Sequence, residues 1–172
     1  MDGRGIKRRL LHLGCGMAEA PPWLRDHHET RVDVDPAIPC DIHADVRDLG
    51  YIGQYDVTYC CHMLEHLYPY DVDVALKEML RVLRPGGFAM IIVPDLEGIS
   101  PTHEQVYECP DGPVTGHDMF YGYNGNIQLN EYMAHHTGFV ESTMSTVLET
   151  AGFSRHKTAR LPSFNLLGVG VK

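Results

Sequence analysis

Short apolar runs alternate with amphipathic stretches along this chain, and that alternation points to βαβ units built on a parallel sheet. The clearest unit lies mid-chain. Tyr55-Asp56-Val57-Thr58-Tyr59-Cys60 reads as a strand. From about Asp71, the residues Val72, Ala75, Leu76, Met79, Leu80 and Leu83 recur at helical spacing. Asp71 is placed to cap that helix, and Arg84-Pro85-Gly86-Gly87 to stop it. Phe88 to Val93 is then apolar throughout, as a strand buried on both faces requires.

The same pattern extends to both sides. Arg9-Leu10-Leu11-His12-Leu13 forms a first strand ended by Gly14-Cys15-Gly16. Thr30-Arg31-Val32-Asp33-Val34 forms a second, ended by Asp35-Pro36, and Asp41-Ile42-His43-Ala44 a short third. A helix from about Val140 to Ala151 stops at Gly152, followed by strands over Phe153 to Ala159 and Phe164 to Val171. Two places break the pattern. Pro21-Pro22 forbids a long helix between the first two strands. From Pro94 to Phe139 no strong period appears. That stretch holds Tyr107, Phe120, Tyr121, Tyr123 and Tyr132 with His103, His117, His135 and His136, an aromatic content that suits an ordered lid or substrate wall.

The chain has 172 residues, 44% hydrophobic and 22% charged, which suits one domain with one core. No apolar run reaches the roughly 18 residues of a membrane helix. The start, MDGRGIKRRL, lacks the apolar centre of a signal peptide, so the expected location is cytoplasmic. The formal charge of −9 argues against affinity won by neutralising phosphates. Lys7-Arg8-Arg9 and Arg155-His156-Lys157 read as solvated strand edges. The five cysteines, Cys15, Cys40, Cys60, Cys61 and Cys109, form no C-x-x-C pair, which argues against a cysteine zinc site and for reduced thiols. Cys60 and Cys61 read as small packing residues at a strand end.

Three elements carry ligand chemistry. Gly14-Cys15-Gly16 follows a strand directly, where glycine lets backbone approach a ligand at the sheet's carboxyl edge. Asp33, with an apolar neighbour on each side, can accept both hydroxyls of an adenosyl ribose, while Asp35-Pro36 equally starts a turn. Asp45-Val46 can accept an adenine amino group and cover the ring, or simply cap a surface turn.

Taken in order, these elements resemble the class I S-adenosylmethionine-dependent methyltransferases. LHLGCG is similar to their first motif, VDVDP to their acidic second strand and ADVRDL to their adenine loop. YDVTYCCHMLEHL followed by ALKEMLRVLRPGGFAMIIVPDL is similar to the strand, helix and strand that come next. The segments VPDLEG, YGYNGN and HHTGFVESTMSTVLETAGF extend the likeness to a group of methyltransferases without settled substrates. The resemblance implies a Rossmann-like, doubly wound, mostly parallel α/β sheet of seven strands in the order 3-2-1-4-5-7-6, in three αβα layers. It implies one methyltransferase domain over 1–172, with a substrate-side insertion at about 94–139. It implies S-adenosylmethionine as cofactor, contacted by His12, Leu13, Gly14, Cys15, Gly16, Asp33, Val34, Asp45, Val46 and Cys61. Two departures stand out: His12 replaces a common acid, and Ala18 a common glycine.

The methyl acceptor expected from the acidic charge and aromatic lid is a small molecule or sugar-containing metabolite, rather than nucleic acid or membrane. His62, just past the fourth strand, is the first candidate base. His117 and Asp95 are further candidates. A module that holds the cofactor or its demethylated product without turnover is the alternative, motivated by His12. His62-Met63-Leu64-Glu65-His66 matches the H-x-x-E-H zinc-peptidase pattern. Glu65 and His66 also resemble part of the E-x-x-E-H metal site of small-RNA 2′-O-methyltransferases and ubiquinone-pathway O-methyltransferases. His62 stands where that site has its first glutamate, and the expectation from sequence is that no metal is bound.

Overall fold

The computed structural model describes residues 7–109 and 112–172. Part of the basic N-terminal start and residues 110 and 111 of the long insertion lie outside them. The chain alternates as its apolar pattern requires. β1 (Arg9–Leu13), β2 (His28–Asp33), β3 (Ile42–His43), β4 (Tyr55–Cys61), α1 (Pro69–Val82) and β5 (Leu83–Pro94) come first. The insertion then carries β6 (Gln105–Cys109), β7 (Gly112–Thr115), α2 (Gly116–Tyr121) and α3 (Asn124–Ile127). α4 (Glu141–Ala151), β8 (Arg155–Leu161) and β9 (Asn165–Val171) complete the chain.

The main sheet has seven strands in the order β3-β2-β1-β4-β5-β9-β8. β1 to β5 pair in parallel, and β9 runs antiparallel between β5 and β8. With the insertion's two short strands set aside, this is the expected doubly wound order. The second sheet is the β6–β7 hairpin alone.

Side-chain alternation divides the core between the two faces of the sheet. Leu11, Leu13, Cys60, Ala89, Ile91, Val93 and Leu166 meet α1 and α4 on one face. α1 buries Val72, Ala75, Leu76, Met79 and Val82, and α4 buries Met144, Leu148 and Ala151. On the other face the layer is thin. Leu10, Val57 and Tyr59 are covered by Ala20 and Leu24 from the proline link, which makes a single 3-10 turn at Pro22–Leu24.

Boundaries moved where backbone geometry outranks side-chain pattern. α1 starts before Asp71, because Pro69 occupies its first turn, where a missing N–H costs nothing. Asp71 instead holds Arg47 at 2.8 Å. Leu83 already belongs to β5, paired with Tyr55. α4 ends at Gly152, left-handed at φ 96°, as expected. The insertion is more regular than its spacing implied, because its helices of six and four residues are too short to show a period. It leaves the sheet at Asp95 and returns at Phe139, and these two residues form a parallel bridge.

Candidate functional site

The carboxyl ends of β1 to β4 open on one side into a cavity of about 720 Å³. The turn after β1 supplies its floor. Gly14 and Gly16 have φ of 57° and 49°, a conformation that side chains other than glycine resist. A Cβ on Gly14 would also lie 2.7 Å from Cβ of Met63, so that glycine serves both the turn and the close packing.

Asp33 ends β2 and is 9% exposed. Its Oδ2 accepts the Gly16 amide at 2.8 Å, and its Oδ1 the Asp35 amide at 3.0 Å. The carboxylate therefore fixes the glycine loop. Each oxygen keeps lone-pair capacity for a hydroxyl. Asp45 follows β3 and is gripped by Arg47, with Nη2 at 2.6 Å from Oδ2. That hydrogen bond holds its carboxyl below the usual range despite partial burial.

Of the residues read from sequence as cofactor contacts, Leu13, Gly14, Cys15, Gly16, Asp33, Val34, Asp45, Val46 and Cys61 all line this cavity. His12 does not. It alternates to the opposite sheet face, where it is 1% exposed and its Nδ1 meets Glu29 Oε1 at 2.8 Å. Burial pushes the Cys15 thiol up to about 11, so Cys15 is a packing group here and not a nucleophile.

His62 lines the cavity at the end of β4. Its backbone is left-handed at φ 51°, and its amide donates to Ile92 O at 2.8 Å. Its Nδ1 lies 3.2 Å from Glu65 Oε1 and its Nε2 2.9 Å from Asn165 Oδ1. Desolvation works against its charged form, but the Glu65 contact outweighs it and raises its pKa. The other two candidate bases are not brought to the cavity. Asp95 is 2% exposed and accepts from Arg160 Nε at 2.5 Å. His117 packs between His103 and Tyr121, at ring distances of 4.9 and 4.7 Å. The H-x-x-E-H stretch forms a 3-10 turn at Leu64–His66, not the helix that a zinc peptidase needs.

Sequence reasoning expected a substrate wall from the insertion and named Tyr132 and His136 in it, but did not single out Ile127 or Asn130. Ile127, Asn130, Tyr132 and His136 from the insertion line the cavity together with Met63, His66 and Tyr68. His136 stacks on Tyr68 at 4.2 Å. Asn130 Nδ2 donates to Asp35 Oδ2 at 2.8 Å, joining the insertion to the tip of β2. No periodicity marks these residues, because short turns place them.

Residues 11–91, which contain the glycine loop, Asp33, Asp45 and His62, match a family model described as a methyltransferase domain. The chain has the seven-stranded fold found in S-adenosylmethionine-dependent methyltransferases. Similar folds occur in solved methyltransferases. A SAM-dependent methyltransferase from Archaeoglobus fulgidus matches with a TM-score of 0.66 at 14% identity, over 96% of this chain and 86% of that one. One from Mesorhizobium loti matches at 0.66 and 15%, over 96% and 91%. The 1,6-didemethyltoxoflavin-N1-methyltransferase of Burkholderia thailandensis, solved with 1,6-didemethyltoxoflavin and S-adenosylhomocysteine, matches at 0.64 and 17%, over 98% and 72%. No curated protein matches the chain in sequence. The cavity's residues fit S-adenosylmethionine: glycine turns for close approach, an acid at the β2 tip, and volume for a nucleoside with an amino-acid arm. Among the described residues, no helix is long and apolar enough to cross a membrane.

Proposed function

We propose that this chain is an S-adenosylmethionine-dependent methyltransferase acting on a small molecule or sugar-containing metabolite. The observation that carries this reading is the cavity's mixed lining. The glycine loop with Asp33 and Asp45 shares the cavity with His62, His66, Tyr68, Tyr132 and His136. Such side chains offer flat apolar faces with polar tips, suited to a compact polar acceptor. The Burkholderia neighbour, similar in fold, holds a small molecule of this kind.

The bound cofactor supplies an activated methyl group on a sulfonium. Every other contribution comes from the chain. Asp33 holds the ribose hydroxyls while bracing the glycine loop. Asp45 and Val46 hold the adenine. Leu13, Gly14, Cys15, Gly16, Val34 and Cys61 shape the pocket around the rest. The wall aligns the acceptor for in-line attack. His62 faces an acceptor at each ring nitrogen, so it serves as base only after Nε2 gives up the proton it shares with Asn165 Oδ1; its contact with Glu65 orients the ring.

Titration calorimetry with S-adenosylhomocysteine tests the cofactor half of this reading. Asp33→Ala should weaken binding by on the order of 1–3 kcal/mol, the usual range for hydrogen bonds to a charged group. Equal affinity in both proteins would remove Asp33 from the ribose role. Turnover of labelled S-adenosylmethionine with a fractionated metabolite extract tests the acceptor half. Methyl transfer to RNA or protein, with none to metabolites, would overturn it.

A further inference from the structure

Beside His62 lies a cluster that the methyl-transfer reading leaves partly unused. Glu65, His66 and His135 each offer a ligand atom, and these atoms all lie within 4.8 Å of one another. Glu65 is 1% exposed, and its Oε2 finds no hydrogen-bond partner among the described residues. A buried carboxylate oxygen without a donor is costly, and a cation removes that cost.

The two imidazoles are oriented toward the same task. His66 Nδ1 donates to Ala134 O at 3.0 Å, and His135 Nδ1 donates to Met119 O at 3.0 Å. Because a carbonyl only accepts, each Nδ1 carries the proton and each Nε2 keeps a free lone pair. Metal-binding histidines are commonly set in this way. Main-chain contacts build the cluster as a unit. The Glu65 carbonyl accepts the amides of His136 at 2.9 Å and Thr137 at 3.1 Å, which pins the strand of chain carrying His135 onto the turn carrying Glu65 and His66.

We propose that Glu65, His66 and His135 bind one divalent transition-metal ion, zinc first among them. Two imidazole nitrogens and one carboxylate suit zinc; magnesium and calcium take oxygen sets. Three protein ligands leave a coordination position open. His66 also lines the cavity, so the ion borders the acceptor side. A hydroxyl bound there gives up its proton more readily. This catalytic role rests on the methyl-transfer reading above; ion binding itself does not. The short H-x-x-E-H stretch alone did not justify a metal, because His135 comes from the distant insertion.

The test uses untagged full-length protein, stripped with a chelator and titrated with zinc against a chromogenic competitor. The expected result is one zinc per chain. Loss of an outer partner of a metal ligand costs about 10–100-fold in affinity, so His135→Ala, which removes a ligand, should cost about 100-fold or more. Glu65→Gln keeps the side chain's shape and should weaken zinc similarly, should His135→Ala fail to fold. Cobalt in place of zinc should give visible absorption bands that both variants lose. S-adenosylhomocysteine affinity, measured on the same samples, should stay within about threefold in His135→Ala, since His135 does not line the cofactor cavity. A wild type that binds no zinc at micromolar concentration overturns the proposal, as does unchanged zinc affinity in both variants. Zinc bound in the absence of any S-adenosylhomocysteine binding would support the metal site and sink the cofactor reading.

Discussion

His62 is held in a left-handed backbone conformation that costs a non-glycine residue about 1–2 kcal/mol. Such strain persists where the surroundings over-determine it, and it clusters at functional positions. Asparagine tolerates the same conformation but cannot take a proton. His62→Asn should therefore keep the backbone conformation, lower the unfolding midpoint through loss of the Glu65 contact, and reduce turnover on the order of 10²–10⁴-fold. A variant with full turnover would remove His62 as the base. His12 poses the opposite case. It is buried against Tyr59, at a ring distance of 5.0 Å, and Glu29 is its hydrogen-bond partner. Burial lowers its pKa against the pull of Glu29, with Arg31 lowering it further and Asp33 raising it. Above about pH 6.5, His12 is neutral in both folded and unfolded chains and adds no pH dependence. As pH falls below that value, the unfolded chain takes the proton first, and stability is lost down to the depressed folded pKa. Urea unfolding at pH 7.5 and pH 5.5 should show a smaller loss of stability in His12→Gln than in wild type. An equal or larger loss in the variant would mean that His12 is not responsible.

The elements most legible in the sequence are those whose side chains face one partner over many residues. α1 shows its apolar stripe because five positions pack one sheet face, and β5 reads as apolar throughout because Phe88 to Val93 meet packing on both sides. Gly14, Gly16 and Asp33 were legible because a strand end is a fixed place for them. The insertion's wall was legible as aromatic content, Tyr132 and His136 included, but not in which of its residues reach the cavity. Asn130, Tyr132 and His136 sit in a turn and loops whose positions depend on contacts with distant residues, among them the Asn130–Asp35 hydrogen bond. That contact refines what the insertion should do. Ile127, Asn130, Tyr132 and His136 line the cavity, with Asn130 tied to the β2 tip, whereas Tyr107 stacks on Phe164 and His117 on His103, outside it. Hydrogen exchange should show 127–136 protected by S-adenosylhomocysteine alone, with 103–109 and 112–121 unaffected by it. Asn130→Ala should abolish most of that protection. Equal protection across the whole insertion would instead make it a single rigid flap.

At the scale of the whole molecule, the cavity is assembled from stretches far apart in the chain. The glycine loop, the tips of β2 and β3, the turn after β4 and the returning part of the insertion each supply one side. The proline link and the absence of a long helix between β1 and β2 leave the second sheet face thinly covered, so this rim depends little on helix packing there. A ligand in the cavity therefore ties together parts that the core itself joins loosely. Binding to the folded chain alone stabilises it by about 2.7 kcal/mol at a ligand concentration 100 times the dissociation constant. For a chain of this length, each kcal/mol raises the melting temperature by about 2–4 °C. S-adenosylhomocysteine at that concentration should raise the melting temperature of the wild type by about 5–11 °C. Asp33→Ala, binding about tenfold more weakly, retains about 1.4 kcal/mol at the same concentration and should shift by about 3–6 °C. Calorimetric scans of both proteins, with and without ligand, measure the difference. Equal shifts would show that the ligand stabilises the rim without Asp33. No shift in either protein would show that the cavity does not hold the cofactor product in solution.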